Sequence, residues 1–192
     1  MSSKRVDKDH VEKWLDDGLH LPTRTLLIAG DIDDDLVTYV AQRVHVLNAA
    51  GESAPVNVLL NSSGGAVDAA LVIHDLLRAL NGYLTIRVTG SAASAAVVIL
   101  QAGDTRELTA TSSVIYHPGT SGLDATPTPE AERMWRYWQL LGSKCDDIVR
   151  ERMAKSGNVL TPARFRTQVL RGLIGIGQEA VILGLADRVV GS

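Results

Sequence analysis

One cysteine, Cys145, is the only thiol in this 192-residue chain. Without a second thiol there is no intrachain disulfide and no thiolate metal site, and such usage suits a reducing compartment. Long hydrophobic runs are missing too. No stretch approaches the roughly 18 consecutive apolar residues of a membrane span, and the opening "MSSKRVDKDHVEKWLDDG" is too charged for a signal-peptide core. Nor is there a run of Lys and Arg. With 19 basic and 22 acidic side chains, the net charge of −3 gives no general attraction to nucleic acid or anionic membrane. Neither partner is expected, and the expected setting is cytoplasmic. Internal repeats, low-complexity tracts and domain-dividing linkers are absent as well. What remains is an ordinary composition, 45% hydrophobic and 21% charged, in a chain long enough to bury one core without metals or disulfides.

Val11, Trp14 and Leu15 recur at helical spacing and Gly18 is placed to end them, so a short helix is predicted within an N-terminal segment, residues 1–24. Residues 25–192 read as a single domain. "TLLIAG", "VNVLL" and "LTIRVTG" are buried strands; "DDDLVTYVAQRVHVLNAAG" and "AVDAALVIHDLLRALNG" are the helices between them. Strands alternating with helices predict an α/β fold with a parallel sheet and right-handed crossovers. Two short extended runs follow, near "ELTA" and "SVIYH", and then the glycine- and proline-containing link "PGTSGLDATPTP". Thr128 and Pro129 make an N-cap and first-turn pair for a long helix at about 129–155. On it Met134, Trp138, Leu141, Cys145 and Ile148 form a seam, fit for the core or for a partner chain.

Three constellations could carry chemistry. Gly64 and Gly65, in "LNSSGGAVDAA", separate a strand from a helix, where backbone N–H groups can face a ligand with no Cβ in the way. The same pair fits a plain tight turn. Ser94, in "GSAASAAVVIL", follows a strand and opens a helix among residues with almost no side chain. A nucleophilic serine needs such a place, its oxygen presented and N–H donors beside it for an oxyanion; a serine N-cap would look alike. His117, in "SSVIYHPGTSG", ends an apolar strand, where it can act as a general base or be a satisfied structural histidine. His10, His20, His45 and His74 show no metal-ligand spacing, and no metal or cofactor is implied.

Taken together, these three sites resemble ClpP, the self-compartmentalising serine protease, and specifically the ClpP-like proteins of phages and some bacteria. The resemblance runs from about Thr25 to Val190 and includes "GDIDDD", "LQAGDTRELTATSSVIYH" and the closing "QEAVILGLADRVV". It implies a ClpP/crotonase-like spiral of β-β-α units with a protruding handle, the 129–155 helix, and homo-oligomeric rings, heptameric and stacked, around a chamber. It implies peptide or unfolded protein as substrate, Ser94 as nucleophile, His117 as base, and the N–H groups of Gly65 and Ala95 as the oxyanion hole. The link from Pro118 to Thr126 corresponds to the strand that aligns substrate.

Two departures stand out. The family's third triad member, an aspartate before the last helix, aligns with Gly172, and no Asp or Glu lies between Glu151 and Glu179. Thr167, Gln168 and Asn158 are candidates to orient His117 through a neutral hydrogen bond, but none replaces the charge, so activity is expected to be weak. No lysine lies in a segment expected near Ser94. The strand Val56–Leu60 also lacks the aromatics with which the family docks an AAA+ unfoldase, leaving that ATPase or another ClpP subunit as the partners to test. Three readings follow: a serine endopeptidase subunit, a catalytically inert ring subunit, and a crotonase-type acyl-CoA enzyme, which would place acidic residues in the cleft.

Overall fold

The computed structural model describes residues 18–50, 53–119 and 128–191. The N-terminal helix with Val11, Trp14 and Leu15, the glycine that closes "DDDLVTYVAQRVHVLNAAG" (Gly51), His10 and most of the Pro118–Thr126 link lie outside the described residues.

The chain opens with the short strand β1 (Leu19–His20), antiparallel to β2 (Thr25–Ile32). Helix α1 (Asp34–Ala49) follows, its first turn closed by Asp33, whose carboxylate accepts the Leu36 N–H at 2.8 Å. Strand β3 (Val56–Gly65) leads to α2 (Val67–Arg78), and β4 (Leu84–Ala93) to the five-residue α3 (Ala96–Leu100). Val56, Val58, Leu60, Ile86 and Val88 are wholly buried on alternate positions of β3 and β4, against Ala69, Ala70, Ile73 and Leu77 of α2. A period of two meeting a period of three to four is the physical basis of the alternation read from sequence.

Strands β2, β3 and β4 run parallel, and then β4 divides its partners. Its first half, Thr85–Val88, pairs in parallel with β5 (Thr105–Thr109); its second half, Ser91–Ala93, pairs with β6 (Ser113–Tyr116). The division coincides with a register shift between Leu60 and Ser62. There the Asn61 side chain takes the Ser91 N–H at 3.0 Å, filling a place the ladder vacates. This is how the sheet winds instead of lying flat, and it throws Ser94 beyond the edge of the core.

After β6 comes α4 (Pro129–Lys155), capped by Thr128 Oγ1, which accepts the Ala131 N–H at 3.1 Å. Then follow α5 (Pro162–Arg171), β7 (Leu173–Ile176), α6 (Gln178–Ile182) and β8 (Arg188–Val190). Strand β7 is antiparallel to β6, so the sheet is mixed, a correction to the all-parallel expectation. The α4 seam divides between the two places open to it, with Cys145 buried, Ile148 packed against the core and Met134 exposed. Helix α4 reaches the core through Cys145, Val149 and Met153, while Met134, Trp135, Tyr137 and Leu140 are exposed. No helix among the described residues is long and apolar enough to cross a membrane.

The far edge of the sheet is fastened by charge. Glu107 on β5, its side chain 3% exposed, accepts Arg87 Nε at 2.8 Å and Arg188 Nη2 at 2.6 Å. Arg106, 1% exposed, donates to Asp187, Gln101 and the Gly184 carbonyl. Burial pushes both carboxyls up, but their arginine hydrogen bonds outweigh it, and Glu107 and Asp187 are held below the ordinary carboxylate range.

Candidate active site

Ser94 occupies the turn between β4 and α3 with a φ of +54°, a left-handed conformation uncommon outside glycine. Its N–H donates to the Ile115 carbonyl of β6 at 2.7 Å, and its carbonyl accepts Val97 N–H at 3.1 Å. The turn is thus pinned from both sides, and the serine side chain is only partly covered. Helix α3 is too short for a large dipole, so donor groups beside Ser94 must come from the turn itself. The Ala95 N–H takes no hydrogen bond among the described residues. The nearby Ser91 is spoken for, its hydroxyl meeting Ser113 Oγ at 3.2 Å.

The glycine pair presses against this turn. A Cβ on Gly64 would stand 2.8 Å from both the Ala93 carbonyl oxygen and Ser94 Cβ, and its φ of +109° strains any other residue. Only a glycine lets the end of β3 approach the serine so closely.

A cleft of about 690 Å³ opens here. Ser94, Ala95, Gly65 and His117 all line it, so the four sites picked from sequence share one cavity. Ser94 and His117 are not hydrogen-bonded to each other. The exposed His117 ring instead places Nδ1 2.9 Å from the Pro118 carbonyl oxygen. A carbonyl only accepts, so this contact puts a proton on Nδ1, and in the neutral ring the lone pair is then on Nε2.

None of the three candidates for orienting His117 is hydrogen-bonded to it. Thr167 Oγ1 donates to Ala163 O at 3.0 Å, within its own helix. Asn158 Nδ2 donates to Leu183 O at 2.9 Å. Gln168 Oε1 is buried without a partner and lines no part of the cleft. Gly172 caps α5 with a φ of +81°, and a side chain there would be strained before it reached anything.

Sequence reasoning missed Asp146. It projects from α4 into the same cleft, where Tyr116 Oη donates to its Oδ1 at 2.8 Å. Burial raises this carboxyl above its ordinary range, the Tyr116 hydrogen bond and the more distant Arg166 only partly offsetting it. Burial also keeps the neighbouring Cys145 thiol inert, pushed up to about 12. The seam reading of α4 had assigned Cys145 and Ile148 but said nothing of the polar residue beside them. Its signal was a carboxylate directly following a core position on a helix. Among the described residues no cluster of His, Cys, Asp or Glu could hold a metal ion.

The class defined by these features is a wound α/β protein with a serine at a strand-to-helix turn and a histidine in the same cleft. The comparisons carry it further. A family model described as Clp protease matches residues 11–192. The ATP-dependent Clp protease proteolytic subunit 3 of Synechococcus sp. is 26% identical over 193 residues, covering 97% of this chain and 92% of the relative. Proteolytic subunit 4 of Rhodococcus jostii is 29% identical over 176 residues, covering 88% of this chain and 86% of the relative. Among solved structures, a ClpP1 mutant from Listeria monocytogenes matches with a TM-score of 0.76 over 90% of this chain and 94% of that one. At 22% identity it speaks to the fold alone. The chain belongs to the Clp protease family, which sets the crotonase-type reading aside.

Proposed function

We propose that this chain is a ClpP-like serine endopeptidase subunit that cuts peptide bonds through an acyl-enzyme on Ser94. The observation that carries the reading is a single one: a serine held in a left-handed turn by the strand that His117 directly follows, in a cleft with Gly65 and Ala95. Ser94 Oγ attacks the substrate carbonyl while Nε2 of His117 takes its proton. The backbone N–H groups of Gly65 and Ala95 receive the charge that builds on the carbonyl oxygen. The imidazolium then protonates the departing amine, and water, deprotonated by the same nitrogen, releases the acyl group.

The Pro118 carbonyl keeps His117 in the required tautomer, but a neutral oxygen stabilises the imidazolium far less than a carboxylate. Replacing that carboxylate with a neutral group costs about 10⁴ in rate in the serine-protease template, so a slow enzyme is expected. Its subunits form stacked heptameric rings in the cytoplasm, with peptide or unfolded protein entering the chamber. The exposed Met134, Trp135, Tyr137 and Leu140 of α4 support a second chain packing there. An AAA+ unfoldase or another ClpP subunit completes the particle.

The test is covalent labelling with a fluorophosphonate. Mass spectrometry of the intact particle should find one adduct per subunit, on Ser94, and Ser94→Ala should remove both the adduct and hydrolysis of short fluorogenic peptides. The missing carboxylate favours a second reading, an inert ring subunit. Unlabelled rings that join an active ClpP partner would establish it in place of the first.

A further inference from the structure

We infer that Asp146 selects the substrate: the cleft takes a lysine or arginine side chain on the acyl side of the scissile bond, its cationic head meeting the unbonded oxygen of this carboxylate. The inference rests on the peptidase reading and names the substrate class of that same site.

Position comes first. Tyr116 lies between Ile115, whose carbonyl holds the Ser94 N–H at 2.7 Å, and His117. Its hydroxyl reaches Asp146 Oδ1 at 2.8 Å, so the carboxylate stands one tyrosine side chain from the strand that fixes the serine. Chemistry comes second. Oδ2 of Asp146 takes no hydrogen bond among the described residues. Arg166, exposed at the same cleft, forms no ion pair with it within 4.0 Å and acts only at longer range. A partly desolvated carboxylate with one oxygen open is a poor neighbour for an apolar side chain and a good one for a cation.

Shape comes third. Val67, Val98, Trp138, Val169 and Leu170 give the cleft apolar walls. Lysine and arginine are the side chains that carry a long methylene stem under a charged head, and they fill such a space along its whole length. A norleucine stem would match the walls but leave the carboxylate both dehydrated and unpaired, and sites built around a polar contact reject analogues that lack it.

The experiment uses the full assembled protein and two coumarin amide peptides that differ only in lysine or norleucine before the cleaved bond. The lysine peptide should have at least a tenfold higher kcat/KM, and Asp146→Asn should bring the ratio toward one. A wild-type ratio near or below one overturns the inference, whatever the variant does. Calorimetry on the Ser94→Ala protein separates this inference from the peptidase reading. It should bind the lysine peptide at least tenfold tighter than the norleucine peptide, and equal binding overturns the inference. Selective binding in a wild type that cuts neither peptide defeats the peptidase reading and leaves the cationic subsite standing.

Discussion

Two regions of the molecule, the β5–β8 edge of the sheet and the cleft beside α4, hold carboxylates and treat them differently. At the β5–β8 edge, Glu107 and Asp187 are surrounded by arginines that supply hydrogen bonds as well as charge. In the cleft, Asp146 has one tyrosine hydroxyl and an arginine at a distance. The first arrangement serves the fold, because every oxygen lost from water regains a donor. The second leaves an unmet demand, and unmet demand in a cavity beside a candidate nucleophile is what a ligand satisfies. Burial alone does not separate a structural acid from a functional one; the count of partners does.

The largest effect should come from breaking the satisfied edge. Arg106→Met leaves the buried Gln101 oxygen and Gly184 carbonyl without their donor and takes away the main partner of Asp187, and the loss should be about 3 kcal/mol by denaturant titration. A loss under about 1 kcal/mol would mean that the two regions are not so different after all.

A smaller effect has the opposite sign. Asp146→Asn keeps an acceptor for Tyr116 and removes a desolvated charge, so stability at pH 7 should rise on the order of 0.5–1 kcal/mol. The pH dependence sharpens this. The Asp146 pKa is raised above its ordinary 3.8, so the folded chain binds a proton that the unfolded one does not. Wild-type stability from this group therefore increases as pH falls from neutral through the raised value, and the advantage of Asp146→Asn should shrink along the way. Glu107 and Asp187, lowered from 4.5 and 3.8, contribute fully above those values and lose their contribution as pH falls through the lower folded ones. Unfolding curves of both proteins between pH 7 and pH 3 should display the two opposite trends.

An effect of similar size concerns the turn itself. At a φ of +54° a glycine is unstrained, so Ser94→Gly should be more stable than Ser94→Ala by about 1 kcal/mol, both being inactive. Equal melting temperatures would argue that the turn stores no strain.

Much of the architecture was legible in the chain because it follows from periodicity. The strand–helix alternation through "LTIRVTG" and the limits of α4, Pro129–Lys155, needed only side-chain spacing and the Thr128-Pro129 cap. Strand β7 was not legible. "LIGI" is four residues long and takes its direction from β6, a partner nearly sixty residues earlier. The candidate site divides the same way. Ser94, His117 and the glycine pair stood out by motif and order, Ala95 came with the family resemblance, and all of these but Gly64 line one cavity. Asp146 could not, because its meaning depends on Tyr116 reaching across from another element. The Pro118 carbonyl was equally invisible, since every residue has one.

Strand β6 is only four residues long, yet its third residue holds the serine turn and the residue after its end is the histidine. Both groups therefore ride on one short lever. A flexing of the subunit that slides this lever carries them in the same direction, so their separation varies less than the place of either in the molecule. Reactivity in such an arrangement is insensitive to breathing of the surrounding body and highly sensitive to insertion of even one residue between 115 and 117.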